Sequence, residues 1–180
     1  PTIPASVASK TYKELLGGIN AFLFDVDGVF TDSRVFLMPG LDPVRVFHSR
    51  DSYAVQQAVK EGLRIVIITG GKSDGMRESF ARSRVVEYHD HVYDESAKLD
   101  ELIANGLDPG RTAYMGDDIP DLRVMQRVGF PCCPSDAAEE IKAISVFVSR
   151  WNGGLGCVRD LLEQTMKVQG KWLTEAAHTW

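Results

Sequence analysis

Two carboxylates separated by one residue, Asp25 and Asp27, have the types and spacing best suited to chemistry in this sequence. They follow directly on the apolar run Ala21 to Phe24, which is typical of a buried parallel strand. Asp25 would then lie at the carboxyl end of a sheet, where open α/β folds bind ligands. Carboxylates this close repel each other unless a cation or a shared proton lies between them. The pattern therefore predicts a metal or acid–base site, whereas an Asp-rich turn is the simpler alternative.

Two further strand ends carry polar groups. Thr69 and Gly70 follow the apolar run Ile65 to Ile68, and an acidic segment follows the β-rich run Thr112 to Met115. That segment is Gly116-Asp117-Asp118-Ile119-Pro120-Asp121. Carboxylates are hard oxygen ligands of the kind that Mg²⁺ prefers. Because parallel strands end at one edge of a sheet, these groups are expected to meet there.

A fourth segment, Asp94-Glu95-Ser96-Ala97-Lys98, lies between the second and third of these along the chain. In this order, the four segments resemble the motifs of the haloacid dehalogenase superfamily of phosphotransferases. The resemblance implies that Asp25 is the nucleophile that forms an aspartyl-phosphate and that Asp27 is the general acid/base. It also implies that Mg²⁺ is held by Asp25, the carbonyl of Asp27 and Asp117. Thr69 would bind phosphoryl oxygens and Lys98 would neutralise the phosphate. Supporting positions around the metal are expected for Asp118 and Asp121.

Three further stretches are informative within the superfamily: Phe47 to Tyr53, Val128 to Pro134 with its Cys-Cys pair, and the glycine-rich Gly153 to Asp160. With them, the sequence resembles the family of 3-deoxy-D-manno-octulosonate 8-phosphate phosphatases over nearly everything from Leu23 to Trp172. Many members have Arg after Thr-Gly, whereas this chain has Gly71 and then Lys72. An Arg fork can bind a carboxylate through two parallel hydrogen bonds, which makes two arginines candidates for the sugar acid. The residues predicted to bind substrate are Thr31, Arg50, Gly70, Lys72 and Arg159.

Two other functions remain open at this point. A related phosphatase of a nine-carbon sialic-type sugar acid phosphate has motifs that do not differ from these. A non-catalytic tetramerising module would be expected to have a broken motif, and the five motif residues are all present in this chain.

Strands alternating with helices predict an α/β fold, with a Rossmann-like, mainly parallel sheet sandwiched by helices. The 180 residues suit a single domain, 1–180. In place of a cap domain, two β-rich runs around Pro39-Gly40 predict a hairpin at about 33–48. Because this hairpin is apolar on both sides, we expect a homotetramer in which neighbouring subunits complete each active site. Burial of the hairpin in its own chain is the alternative, and the aromatic tail, about 169–180, is expected to pack on a neighbour.

Composition excludes several classes of protein. A formal net charge of −5 without a basic run argues against a nucleic-acid surface. No apolar stretch approaches the ~20 residues of a membrane span, and the first ten residues lack the apolar core of a signal peptide. Three cysteines at Cys132, Cys133 and Cys157 are expected to be reduced. We therefore expect a cytoplasmic enzyme.

Overall fold

A computed structural model describes residues 10–85 and 87–180 of the chain. Six strands form one sheet in the order β3-β2-β1-β4-β5-β6, and all five pairings are parallel. The strands are β1 Ala21–Phe24, β2 Arg64–Ile68, β3 Glu87–His89, β4 Thr112–Met115, β5 Phe130–Cys133 and β6 Phe147–Val148. The helices are α1 Tyr12–Leu16, α2 Ser49–Lys60, α3 Asp74–Arg82, α4 Glu95–Ala104, α5 Leu122–Met125, α6 Glu139–Ile144 and α7 Cys157–Val168. The prediction of a parallel α/β fold is confirmed.

The sheet has a hydrophobic core on each face. Side chains of successive strand residues point to opposite faces, so Phe22 and Phe24 of β1 pack in one cluster, whereas Leu23 packs in the other. The first cluster includes buried residues of α1, α2, α3 and α7, and the second includes buried residues of α4, α5 and α6. β1 is therefore buried on both sides, which explains its uninterrupted apolar sequence.

The sequence predicts helices over 51–60, 72–82, 94–105, 137–144 and 155–168, and the corresponding helices begin and end within two residues of these bounds. Ser73 caps α3, as predicted, by accepting a hydrogen bond from the backbone N–H of Met76. The short helix predicted within residues 1–19 is found as α1 at Tyr12–Leu16, and the strand predicted at 85–88 is found at 87–89. Residues 1–9 and Val86 lie outside the described residues. The helix predicted over 122–128 ends earlier, at Met125.

The predicted hairpin is reduced to one antiparallel bridge. Phe36 and Val44 exchange backbone hydrogen bonds of 3.0 and 3.1 Å, and the rest of 33–48 has no assigned strand. At its end, the Phe47 ring lies 6.1 Å from that of Phe30 and 5.4 Å from that of Phe80. The hairpin is thus joined to the aromatic core at its C-terminal end.

The C-terminal tail packs against α2 of its own chain. The Tyr53 hydroxyl donates to the carbonyl oxygen of Ala177 at 2.6 Å, and Lys60 Nζ donates to that of Thr179 at 2.6 Å. The ring of Trp180 meets Tyr53 edge-on at 5.5 Å. These contacts occupy tail residues that had been expected to meet a neighbour. Among the described residues, no helix has both the length and the apolar character needed to span a membrane.

Candidate active site

The parallel register brings the catalytic candidates to one edge of the sheet. Phe24, the last residue of β1, is paired with Ile67 of β2 and with Met115 of β4. The backbone N–H of Asp25 continues the ladder by donating to the carbonyl oxygen of Met115 at 3.1 Å. The chain leaves β1 on one side for β2 and later returns on the other side for β4. Asp25 and Asp117 therefore lie at the topological switch point, where open α/β sheets bind ligands.

Three carboxylates converge at this edge. Oxygen atoms of Asp25, Asp117 and Asp121 all lie within 4.8 Å of one another. Burial, followed by the charge of Asp121, raises the pKa of Asp25 well above its usual range. The same two causes raise the pKa of Asp117 to about 7. Uncompensated negative charge of this kind is relieved by a cation, and the all-oxygen donor set suits Mg²⁺.

Asp121 is committed to hydrogen bonds inside the protein. One carboxylate oxygen accepts from the Tyr114 hydroxyl at 2.9 Å, and the other accepts from the backbone N–H groups of Asp117 and Asp118 at 2.9 and 3.2 Å. Asp118 is exposed, and its side chain accepts from the N–H of Ile119. Asp121 thus fixes the loop that carries Asp117, while Asp118 stabilises the start of the following turn.

The Asp117 carboxylate faces the backbone of the Asp25–Gly28 turn. A Cβ atom at Gly28 would lie 1.9 Å from Asp117 Oδ2, and Gly28 has a φ of +89°. Glycine is therefore required at this position for two reasons, the left-handed backbone conformation and the close approach of the Asp117 carboxylate. The approach brings the Asp117 side chain against the loop whose carbonyl groups were predicted to reach the metal.

The predicted phosphoryl-binding residues line the same cleft, which has a volume of about 880 Å³. Thr69 follows β2, and its Oγ1 accepts from the backbone N–H of Gly71 at 3.3 Å. Gly70 and Gly71 line the cleft beside it. Thr31 is buried, and its hydroxyl oxygen accepts from the N–H groups of Gly28 and Ser33. Thr31 therefore stabilises the turn from within, and Lys72 is exposed just before α3.

Lys98 of α4 is paired with a carboxylate of its own helix. Its ammonium group lies 2.5 Å from Glu101 Oε2, one turn further along α4, and Lys98 does not line the cleft that contains Asp25. Instead, Asp94, Glu95 and Ser96 from the start of α4 line that cleft. The neutralising role of Lys98 stays a prediction, and in this arrangement its charge is paired with the Glu101 carboxylate.

Arg50 and Arg159 line a different cavity, of about 800 Å³. The Arg159 guanidinium stacks 4.7 Å from the centre of the Trp172 ring, and its Nε donates to Glu163 at 2.5 Å. Within one chain, the structure does not bring these two arginines together with Asp25. Their predicted contact with the sugar acid would need a neighbouring subunit.

Sequence reasoning missed two charged residues: Arg45, which contacts a carboxylate of the cleft, and Glu95, which lines it. Arg45 of the hairpin forms a two-point ion pair with Asp27, with N–O distances of 2.7 and 3.1 Å. Glu95 faces the acidic cluster, and burial, followed by the charge of Asp121, raises its pKa to about 7. A single Arg between Val44 and Val46 in an apolar hairpin was the available signal for the first. For Glu95 no local signal existed, because acidic residues are common in the first turn of a helix.

Comparison with known proteins gives relatives that span nearly the whole chain. The 3-deoxy-D-manno-octulosonate 8-phosphate phosphatase of Escherichia coli K12 is 27% identical over 154 residues, which cover 85% of this chain and 82% of the relative. No protein-family model matches the chain.

Two solved structures have the same fold. A probable yrbi family phosphatase from Pseudomonas syringae is 30% identical, covers 92% of this chain and 94% of its own, and superposes with a TM-score of 0.86. The 3-deoxy-D-manno-octulosonate 8-phosphate phosphatase from Moraxella catarrhalis is 25% identical, with coverages of 89% and 92% and a TM-score of 0.85. That second structure contains a magnesium ion, a phosphate ion and a KDO molecule.

Proposed function

The chain belongs to the haloacid dehalogenase superfamily of phosphotransferases, and we propose that it is a Mg²⁺-dependent phosphatase of 3-deoxy-D-manno-octulosonate 8-phosphate. The observation that carries the proposal is the convergence of Asp25, Asp117 and Asp121 at the carboxyl edge of the sheet, beside Thr69. The similar E. coli and M. catarrhalis enzymes support the choice of substrate.

In the proposed reaction, Asp25 is the nucleophile and Asp27 is first the general acid and then the general base. An oxygen of Asp25 attacks the phosphorus atom and forms an aspartyl phosphate, while the bond from phosphorus to the sugar oxygen breaks and Asp27 gives a proton to that departing oxygen. Asp27 then takes a proton from a water molecule that attacks the same phosphorus, which releases phosphate and restores Asp25. Two moderate steps replace one difficult displacement.

Asp25, the backbone carbonyl of Asp27 and Asp117 would hold the Mg²⁺ ion. When bound, the ion supplies positive charge that offsets the carboxylates and the phosphoryl oxygens. The hydroxyl of Thr69 and the N–H of Gly70 are placed to bind phosphoryl oxygens at the end of β2. Lys98, whose ammonium group contacts Glu101 in this structure, would neutralise the charge of the phosphate.

A homotetramer is part of the proposal, because the hairpin exposes a large apolar surface. Phe36, Leu37 and Val46 are 64%, 75% and 68% exposed, respectively. Surfaces of this kind mark contacts with other chains, and a closed symmetric assembly would cover all copies of the hairpin equally. A neighbouring subunit would also explain how Arg50 and Arg159 reach a substrate. The free, buried cysteines fit the reducing cytoplasm, which we include in the proposal.

A panel of sugar acid phosphates tests the function. The purified protein is assayed with Mg²⁺ for phosphate release from the eight-carbon octulosonate 8-phosphate, from nine-carbon sialic-type sugar acid phosphates and from simple hexose phosphates. We expect the highest kcat/KM for the eight-carbon substrate, and the Asp25→Asn protein serves as the control for contaminating phosphatases. A higher kcat/KM for a nine-carbon substrate would replace the proposed substrate. Absence of release from every compound would favour a non-catalytic module.

A further inference from the structure

The hairpin reaches into the active site of its own chain through one residue. Arg45 Nε donates to Asp27 Oδ1 at 2.7 Å, and Nη2 donates to Asp27 Oδ2 at 3.1 Å. This is the parallel fork in which a guanidinium binds a carboxylate. The third nitrogen, Nη1, donates to the carbonyl oxygen of Pro43 at 3.3 Å, so the guanidinium is oriented at all three of its nitrogen atoms.

Arg45 is buried although the rest of the hairpin is not. Its side chain is 8% exposed, whereas Val44 and Val46 on either side of it are 43% and 68% exposed. Gly71 makes room for it, because a Cβ atom at that position would lie 3.0 Å from Arg45 Nη2 and 3.7 Å from Thr69 Oγ1. The guanidinium therefore lies beside the loop that is proposed to bind phosphoryl oxygens.

The cleft has few other positive charges to offer a phosphate. Carboxylates of Asp25, Asp27, Asp94 and Glu95 line it, and its one lining cation among the described residues, Arg123, is exposed to solvent. The ammonium group of Lys98 is paired with Glu101. In the part of the chain that the structure describes, the ion pair of Arg45 is the only one that involves a carboxylate lining this cleft.

We propose that Arg45 is a substrate-binding residue that exchanges its partner, from the Asp27 carboxylate in the free enzyme to the phosphoryl oxygens of the bound substrate. The inference rests on the proposed function. A phosphate ester carries more negative charge than a carboxylate and offers the same pair of acceptor oxygens, so it competes well for a planar guanidinium. When Arg45 moves to the phosphate, the Asp27 carboxylate becomes free to take up a proton from water and to give that proton to the departing oxygen. The hairpin thereby brings a further positive charge to the bound phosphate.

Phosphate binding without turnover gives the first test. The Mg²⁺-loaded protein is titrated with inorganic phosphate by calorimetry, for the wild type, Arg45→Gln and Arg34→Gln. Arg34 is a matched control, because it belongs to the same hairpin and pairs with a carboxylate, Asp32, but its side chain is 87% exposed. We expect Arg45→Gln to weaken phosphate binding by at least tenfold and Arg34→Gln to change it less than twofold.

Kinetics separate binding from a purely structural role. We expect kcat/KM to fall about 100-fold in Arg45→Gln, as for the loss of one charge-stabilising donor. Arg45→Lys keeps the charge without the fork and should give an intermediate value, which also covers the case in which Arg45→Gln folds poorly. Added guanidinium ion should restore part of the activity of Arg45→Ala, which would not happen if Arg45 merely fastened the hairpin.

Two outcomes would overturn the inference and leave the proposed function intact. One is wild-type phosphate affinity and kcat/KM in a folded Arg45→Gln protein. The other is equal losses in Arg45→Gln and Arg34→Gln, which would indicate a general effect of hairpin charge. By contrast, a wild-type protein that neither binds phosphate nor hydrolyses any phosphomonoester would contradict the proposed function itself.

Discussion

The catalytic edge of the sheet and the hairpin at 33–48 differ in what holds them. At the edge, the N–H of Asp25 continues the buried hydrogen-bond ladder between β1 and β4, and both carboxylate oxygens of Asp121 accept hydrogen bonds from the same chain. In the hairpin, one backbone bridge joins Phe36 to Val44, and both of these side chains are exposed. The edge is fixed by the fold of one chain, whereas the hairpin is anchored at Arg45 and at its C-terminal end.

This difference indicates that each region needs a partner from outside the chain. The edge brings together carboxylates that repel one another, so it needs a cation. The hairpin exposes apolar side chains to water, so it needs a covering surface. The two regions meet at the ion pair between Arg45 and Asp27. Variants that act on one region and spare the other can therefore separate chemistry from assembly.

The largest effect is expected for Asp25→Asn. Turnover should fall on the order of 10⁴-fold or more, because the amide cannot attack the phosphoryl group. Thermal stability should stay the same or rise, since one member of the repelling cluster is removed, and the oligomeric state should not change. Phosphate release, a melting curve and light scattering check these three points. Near-normal turnover in carefully purified Asp25→Asn would exclude Asp25 as the nucleophile.

Variants of Asp117 and Asp121 should differ in what they change: the Mg²⁺ requirement for Asp117 and the free energy of unfolding for Asp121. EDTA should abolish activity and added Mg²⁺ should restore it. Asp117→Asn should raise the Mg²⁺ concentration needed for half-maximal activity by at least tenfold, because it loses a ligand. Asp121→Asn should instead lower the free energy of unfolding by about 1–3 kcal/mol, since the amide keeps only one acceptor oxygen and either the Tyr114 hydroxyl or the backbone N–H groups on the other oxygen lose their acceptor. If both variants need the same Mg²⁺ concentration, Asp117 is not the ligand.

The hairpin predicts a change in assembly. The double variant Val44→Asp, Val46→Asp should give species smaller than the wild type, because buried charge opposes an apolar contact. Its KM should rise several-fold while its Mg²⁺ requirement stays unchanged. Leu173→Asp is the control, since Leu173 is as exposed as Val46, at 68%, but lies in the tail. A wild-type mass near 19.9 kDa by light scattering, with full activity, would show that one chain suffices.

The smallest effect on activity is expected at Asp51, in the first turn of α2, which accepts a hydrogen bond from the N–H of Arg159 at the start of α7. Burial raises the pKa of Asp51 from 3.8 to about 6. Between these values the folded protein binds more protons than the unfolded chain, so stability falls as pH rises from about 4 to about 6. The loss is on the order of 3 kcal/mol. Urea unfolding at both pH values should show a shallower decrease for Asp51→Asn, and equal slopes would contradict the assignment.

The sequence by itself determined the fold class and the group of carboxylates at the sheet edge. Apolar runs, glycines and the polar residues that follow them are local features, and strands in parallel must end at one edge. Asp25, Thr69 and Asp117 could therefore be predicted to meet without knowing how any helix packs.

Only the tertiary structure decided where the cations go. Lys98 has Glu101 within reach on its own helix, whereas Arg45 finds Asp27 eighteen positions earlier in the chain. Arg50 and Arg159 are taken to another cavity by the packing of α2 against α7. A long charged side chain can pair with any of several carboxylates. Which one it contacts depends on distances between helices and strands, and a local sequence pattern does not give these distances.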